Sequence, residues 1–194
     1  MAVANKTKWP AKAKSGPKAK AVTIGSAKAL PGTVAFGAIP VTKLAGGNPA
    51  EIPVAIINGA RPGKVLWIDG AIHGDGPEGP LCCQHLLRQV DPKTLAGTID
   101  LVPVINVAAL EAASRGNPLD TFSYDGNRIH PGRPNGYLTK RIVDAHSQWM
   151  RKVADMEILI HSGGGHSYPL RRFSSTCAPN WLNGVPRWGR VEAA

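Results

Sequence analysis

The sequence predicts an α/β domain built on a mixed, partly parallel sheet with helices on both faces. Three observations point to it. Near-continuous apolar runs occur at 64–69 (KVLWID), 99–105 (IDLVPVI) and 156–160 (MEILI), as expected of strands covered on both sides. Stretches with helical spacing separate these runs, and strand, helix, strand in alternation is the signature of an α/β sheet. Two of the runs also end in Gly-rich turns that carry a histidine, the place where open α/β sheets present their ligands.

In chain order, residues 1–30 read as a basic, disordered tail mixing Ala, Lys, Pro and Gly without an apolar period. The domain itself is expected over 31–172. Residues 33–41 (TVAFGAIPV) and 52–58 (IPVAIIN) are short β-prone runs on either side of the turn GGNP, and a second turn at 59–63 leads into the strand 64–69. After the Gly- and Pro-rich loop 70–80, Leu81, Cys82, His85 or Leu86, and Gln89 or Val90 suggest a helix over 81–90, stopped by Asp91 and Pro92. The run 99–105 is the next strand, followed by a short helical stretch around 108–113. Residues 115–134 form a long loop dense in Gly, Asn, Asp and Pro, and such loops in compact domains are usually functional. Leu138, Ile142, Val143, Trp149, Met150 and Val153 then mark the apolar stripe of a helix before the last buried run, which ends at His161. Residues 173–194, with Pro, Gly, Asn and Trp in no clear period, are expected to be irregular.

The formal net charge of +10 suggests a nucleic-acid partner until it is located. Lys6, Lys8, Lys12, Lys14, Lys18 and Lys20 fall in the first 20 residues, where no acid occurs, which leaves +4 for the rest. A solvated extension accounts for that tail better than a nucleic-acid arm, because only Trp9 is interleaved with the lysines. The rival basic surface would draw on Arg171, Arg172, Arg187 and Arg190. No run follows the lysines as a secretory signal would, and none has the length of a membrane span. Cys82, Cys83 and Cys177 are odd in number with two adjacent, which builds neither a disulfide framework nor a CxxC metal site. They read as small core residues of a protein in a reducing compartment, hence cytoplasmic.

Chemistry concentrates in three places. His73 lies in GAIHGDGPEG (70–79) and His161 in ILIHSGGGH (158–166), each just past or at the end of a buried run. Two histidines at the ends of parallel strands can share one metal ion, and neutral imidazoles suit zinc. The third place is the long loop, with Arg115 and the segment DGNRIHPG (125–132). Arginine offers a planar fork matched to a carboxylate and asparagine a directional donor, so Arg115, Asn127 and Arg128 near a metal would suit a carboxylate-bearing substrate. Each of these side chains taken singly also fits a loop residue that closes a turn. No GxxxxGK[ST] and no complete GxGxxG supports a phosphate cradle.

Together these segments resemble the succinylglutamate desuccinylase/aspartoacylase family, relatives of the zinc carboxypeptidases. The resemblance runs from about residue 33 to residue 166 and rests on HGDGPEG (73–79), RGNPLD (115–120), NRIHPG (127–132) and LIHSGGG (159–165). It implies a three-layer zinc-carboxypeptidase-like fold and a Zn2+ ion held by His73 and His161. It further implies that Arg115 polarises the scissile carbonyl and that Asn127 and Arg128 bind substrate carboxylate. The implied reaction is hydrolysis of the amide bond of a small N-acyl amino acid or a peptide, with no membrane or nucleic-acid partner. Three positions depart from the family pattern. Gly76 stands where the family has a third ligand, a Glu; Leu159 and Ile160 precede the second His where an acid is usual; and the family's general-base Glu comes from further toward the C-terminus, so a chain truncated there is expected. A homologue that binds a carboxylated small molecule without catalysis is the alternative.

Overall fold

The computed structural model describes residues 18–122, 124–162, 172–177 and 189–193. The lysines at positions 6 to 14, together with Arg171 and Arg187, lie outside these residues. The chain opens on a small antiparallel hairpin of β1 (Val22–Ile24) and β2 (Ala27–Ala29). Here the expected tail over 1–30 is corrected. Ile24, Ala27 and Ala29 are fully buried, because the hairpin lays one face on the next strand while its polar residues face water. Composition dominated by lysine hid this short alternation.

The main sheet follows. β3 (Thr33–Lys43) and β4 (Pro49–Asn58) form a long hairpin registered from Thr33↔Asn58 to Lys43↔Pro49. β5 (Arg61–Gly70), β6 (Ala96–Val102) and β7 (Met156–His161) are the apolar strands expected from the sequence, and β5 pairs in parallel with both β6 and β7. Two further strands, β8 (Arg172–Cys177) and β9 (Gly189–Ala193), extend the sheet antiparallel beyond β7. Both fall in a stretch expected to be irregular, which has no apolar period to announce them. The order is β3-β4-β6-β5-β7-β8-β9, mixed as expected.

Helices cover both faces. α1 (Glu78–Gln89) carries the chain from β5 to β6, and α3 (Leu138–Val153) returns it to β7, with the short α2 (Val107–Glu111) between them. Because side chains alternate along a strand, Ile68, Leu101 and Ile160 pack on the α1 side with Cys83, whereas Trp67, Val102 and Leu159 pack on the α3 side with Ile142 and Met150. Each such buried side chain contributes about 1.5–3 kcal/mol relative to exposure. The N-terminus of α3 is capped from a distance by Asp120, which accepts from the backbone N–H groups of Leu138 and Thr139 and from the Thr139 hydroxyl.

Two glycines bring the histidine loop into place. A methyl group at Gly70 would meet the Gly79 backbone at 2.6 Å, so only paired glycines let the start of α1 rest on the end of β5. One at Gly74 would lie 2.0 Å from the Ala109 carbonyl, so this residue is what lets the loop after β5 press against α2.

Candidate active site

β5 and β7 are neighbours, with Gly70 opposite Ile160. Their C-terminal ends therefore deliver His73 and His161 to the same place, with ring centroids 5.3 Å apart. His73 is buried, and its Nε2 lies 2.7 Å from Asp125 Oδ1. Asp125 Oδ2 accepts from Arg115 Nη2 at 2.8 Å, and Oδ1 also accepts the Asn127 backbone N–H at 2.9 Å, capping the 3-10 turn Gly126–Arg128. One carboxylate thus gathers His73, Arg115 and the turn that carries Asn127 and Arg128. Partial burial works to raise the Asp125 pKa, but the hydrogen bonds from His73 and Arg115 outweigh it and hold the group at about 2. An ionised Asp125 fixes the His73 proton on Nε2 and leaves the Nδ1 lone pair for a ligand, the arrangement that orients metal-bound histidines.

Gly76 sits beside this pair. A side chain there would meet Ser162 Oγ at 2.6 Å, with its next neighbours at 3.7 Å or beyond. The hydroxyl of the residue after His161 therefore lies in the space a side chain at 76 would enter. Arg115 and Arg128 are exposed, so their remaining guanidinium donors face solvent; Arg128 Nη1 is within 3.4 Å of the Asn127 carbonyl.

Among the residues singled out from the sequence, the Asp125 carboxylate thus binds His73, Arg115 and the Asn127 backbone directly, with His161 beside His73 and Arg128 on the same turn, a role the sequence did not reveal. An aspartate at the head of the turn-forming sequence DGN, placed to accept the N–H two residues on, was the available signal. A second group escaped notice. Asp69 on β5, His146 on α3 and Glu157 on β7 are buried together, and each offers a ligand-type atom within 4.8 Å of the others. Asp69 Oδ2 lies 2.6 Å from His146 Nε2 and 2.9 Å from the Trp67 indole nitrogen. Acids inside apolar runs were the sign, and a reading of those runs as uniformly apolar passes over it.

Residues 62–180 match the succinylglutamate desuccinylase/aspartoacylase catalytic domain, a stretch that holds both histidines, Asp125 and both arginines. The chain belongs to this family. It has the family's three-layer zinc-carboxypeptidase-like fold, with a mixed sheet and helices on both faces. Over 113 residues it is 31% identical to the N-alpha-acetyl-L-2,4-diaminobutyric acid deacetylase of Halomonas elongata, covering 58% of this chain and 32% of that protein. Among solved structures, an aspartoacylase family protein from Mesorhizobium loti is 30% identical with a TM-score of 0.62, over 76% of this chain and 45% of its own. The product-bound ectoine utilization protein EutE (DoeB) from Ruegeria pomeroyi is 29% identical with a TM-score of 0.59, over 68% of this chain and 40% of its own. The chain therefore spans about a third of that deacetylase and under half of these solved relatives. The deacylase names place the family among hydrolases. Among the described residues no helix is long and apolar enough to cross a membrane.

Proposed function

We propose that this chain carries the metal- and substrate-binding part of a zinc-dependent deacylase acting on small N-acyl amino acids or peptides. The observation that carries the proposal is the chain of contacts His73–Asp125–Arg115, at 2.7 and 2.8 Å, with the His161 ring 5.3 Å from that of His73.

The donor set fits zinc in two of its usual three protein ligands. His73 and His161 supply imidazole nitrogens, one of them already oriented by a carboxylate, and Gly76 supplies nothing. When bound, zinc would act as a Lewis acid toward the carbonyl and lower the pKa of a water. The rest falls to the chain itself. Asp125 keeps the His73 proton on Nε2. Arg115, tied to Asp125 by one nitrogen, has further donors to set against the carbonyl oxygen as negative charge develops there. Asn127 and Arg128, on one tight turn, offer an amide and an exposed guanidinium to a substrate carboxylate. The free thiols of Cys82 and Cys83 suit the cytoplasmic location read from the sequence.

Gly76 supports a second reading, a homologue that binds a carboxylated molecule without hydrolysing it, because the Ser162 hydroxyl stands where the third ligand would begin. Zinc content of the purified chain and of Gly76→Glu, followed by an assay with N-acetyl amino acids, separates the two. Near one zinc per wild-type chain together with hydrolysis supports the deacylase. Zinc only in Gly76→Glu, which need displace no more than the Ser162 hydroxyl, supports the binding protein. No zinc in either folded protein would refute the site.

A further inference from the structure

We propose that Asp69 and Glu157 share a proton beneath α3, and that this pair sets the spacing of β5 and β7 and hence of His73 and His161 at their ends. The last clause rests on the metal-site reading above; the proton-sharing pair does not.

The placement is symmetric. Asp69 lies four residues before His73 on β5, and Glu157 four residues before His161 on β7. Trp67 stands directly opposite Glu157 in the parallel register, and strand alternation points Asp69, Trp67 and Glu157 to the α3 side. There Asp69 and His146 are fully enclosed and Glu157 is nearly so. Asp69 Oδ2 receives both the Trp67 indole N–H and His146 Nε2, while Oδ1 has no donor as long as both acids are ionised. Carboxylate oxygens of Asp69 and Glu157 lie within 4.8 Å of one another in this enclosed space, and two carboxyl groups so close and so buried do not both stay ionised, so one of them keeps a proton it can donate to the other.

A metal ion is the competing occupant, and the distances disfavour it. Two atoms bound to one zinc at about 2.0–2.1 Å in tetrahedral array lie roughly 3.4 Å apart. Asp69 Oδ2 and His146 Nε2 are separated by only 2.6 Å, which is a hydrogen bond. Trp67, a donor only, also directs its N–H at that oxygen, where a cation would repel it.

Among the described residues, those facing the pair supply no positive charge in place of the proton. From α3, His146 is driven down to about 4 by burial, against the opposing pull of Glu157, so it is neutral at pH 7. From β6, Asp100 is buried opposite Trp67 with neither oxygen hydrogen-bonded, and burial raises it to about 7. His130, in the loop before α3, lies beyond His146 at 6.4 Å between ring centroids. Burial likewise raises Asp69 to about 7, offset in part by the hydrogen bonds of Glu157 and Trp67. Its folded pKa is above the unfolded value, so the folded state holds the extra proton from about pH 4 to 7. Stability is lost over that window as pH rises. Above it, two adjacent carboxylates on β5 and β7 repel each other.

The test is thermal unfolding of the full chain from pH 5 to 9 in EDTA, in an Asp100→Asn background that removes the second titrating acid. The same chain with Glu157→Gln is the comparison, since the amide donates to Asp69 without titrating. The parent is expected to lose several degrees in Tm between pH 5 and about 7 and to level off above it, and Glu157→Gln less than half as much. If Glu157→Gln fails to fold, Asp69→Asn serves in its place. Equal pH slopes in parent and variant would overturn the proposal. So would a Tm that EDTA lowers in a His73→Ala/His161→Ala chain, because the cluster would then hold a cation. Co2+ titrations of the parent and Glu157→Gln provide the second readout: affinity should fall severalfold above pH 7 in the parent only. Flat parent affinity overturns the positioning role, whereas no Co2+ binding at any pH with the expected Tm slopes refutes the metal site and leaves the proton pair standing.

Discussion

Replacing Asp125 by Asn tests the centre of the site. The carboxylate takes three hydrogen bonds, from His73 Nε2 at 2.7 Å, from the Asn127 N–H at 2.9 Å and from Arg115 Nη2 at 2.8 Å. An amide keeps one acceptor and presents an NH2 group that must face a donor, either Arg115 or His73. Arg115 is about half exposed and can turn to water, so its loss costs little, about 0–1 kcal/mol for an exposed pair. The His73 bond is the one that matters, because it fixes which ring nitrogen is free. Removing the outer partner of a metal-bound histidine typically weakens metal binding by about 10- to 100-fold, or about 1.4–2.8 kcal/mol. The assay is a zinc Kd from competition with a chromophoric chelator at pH 7.5, with His73→Ala as reference and circular dichroism to confirm the fold. Asp125→Asn should lose about 10- to 100-fold and His73→Ala more. Because the folded pKa of Asp125 is depressed to about 2, its contribution is full above the ordinary carboxylate range and is lost only as pH falls through about 2. The Asp125→Asn deficit should therefore be constant from pH 6 to 8. Wild-type affinity in Asp125→Asn beside a crippled His73→Ala would refute the orienting role; wild-type affinity in both would remove His73 from the site.

Three further outcomes are expected. Arg128→Ala should weaken binding of an N-acetyl amino acid, measured calorimetrically, while leaving the Tm within a degree or so, since this side chain is exposed; unchanged affinity would exclude it from carboxylate recognition. Asp100→Asn should be more stable than wild type in urea at pH 8 and closer to it at pH 4. Burial raises the folded Asp100 pKa to about 7, so wild type loses stability with rising pH across that interval, by at most about 1.4 kcal/mol per pH unit. Equal differences at both pH values would show that Asp100 is not titrating. Trp67→Phe removes the indole N–H from Asp69 and should cost about 1.5–3 kcal/mol for the charge-assisted bond, before any cavity is counted; a loss below 0.5 kcal/mol in urea unfolding would show that His146 alone satisfies that oxygen.

The α/β class could be read directly from the chain, because a strand buried on both faces needs a nearly continuous apolar run and β5, β6 and β7 each have one, interrupted by the acids Asp69, Asp100 and Glu157. The positions of His73 and His161 were legible for the same reason: each follows such a run into glycine-rich sequence. Pairing was not. That β6 inserts between β4 and β5, that residues 22–29 fold onto β3, and that β8 and β9 extend the sheet depend on contacts between segments whose local patterns are weak. The same division holds in the site. Residues near one another in sequence, such as Asn127 and Arg128, announce themselves as a motif. Asp125 meets His73 across 52 positions and Asp69 meets His146 across 77. Whether a buried acid finds a donor, and so whether it orients a histidine or keeps a proton, is settled by which side chains the fold brings within about 3 Å, a distance that spacing along the chain does not encode.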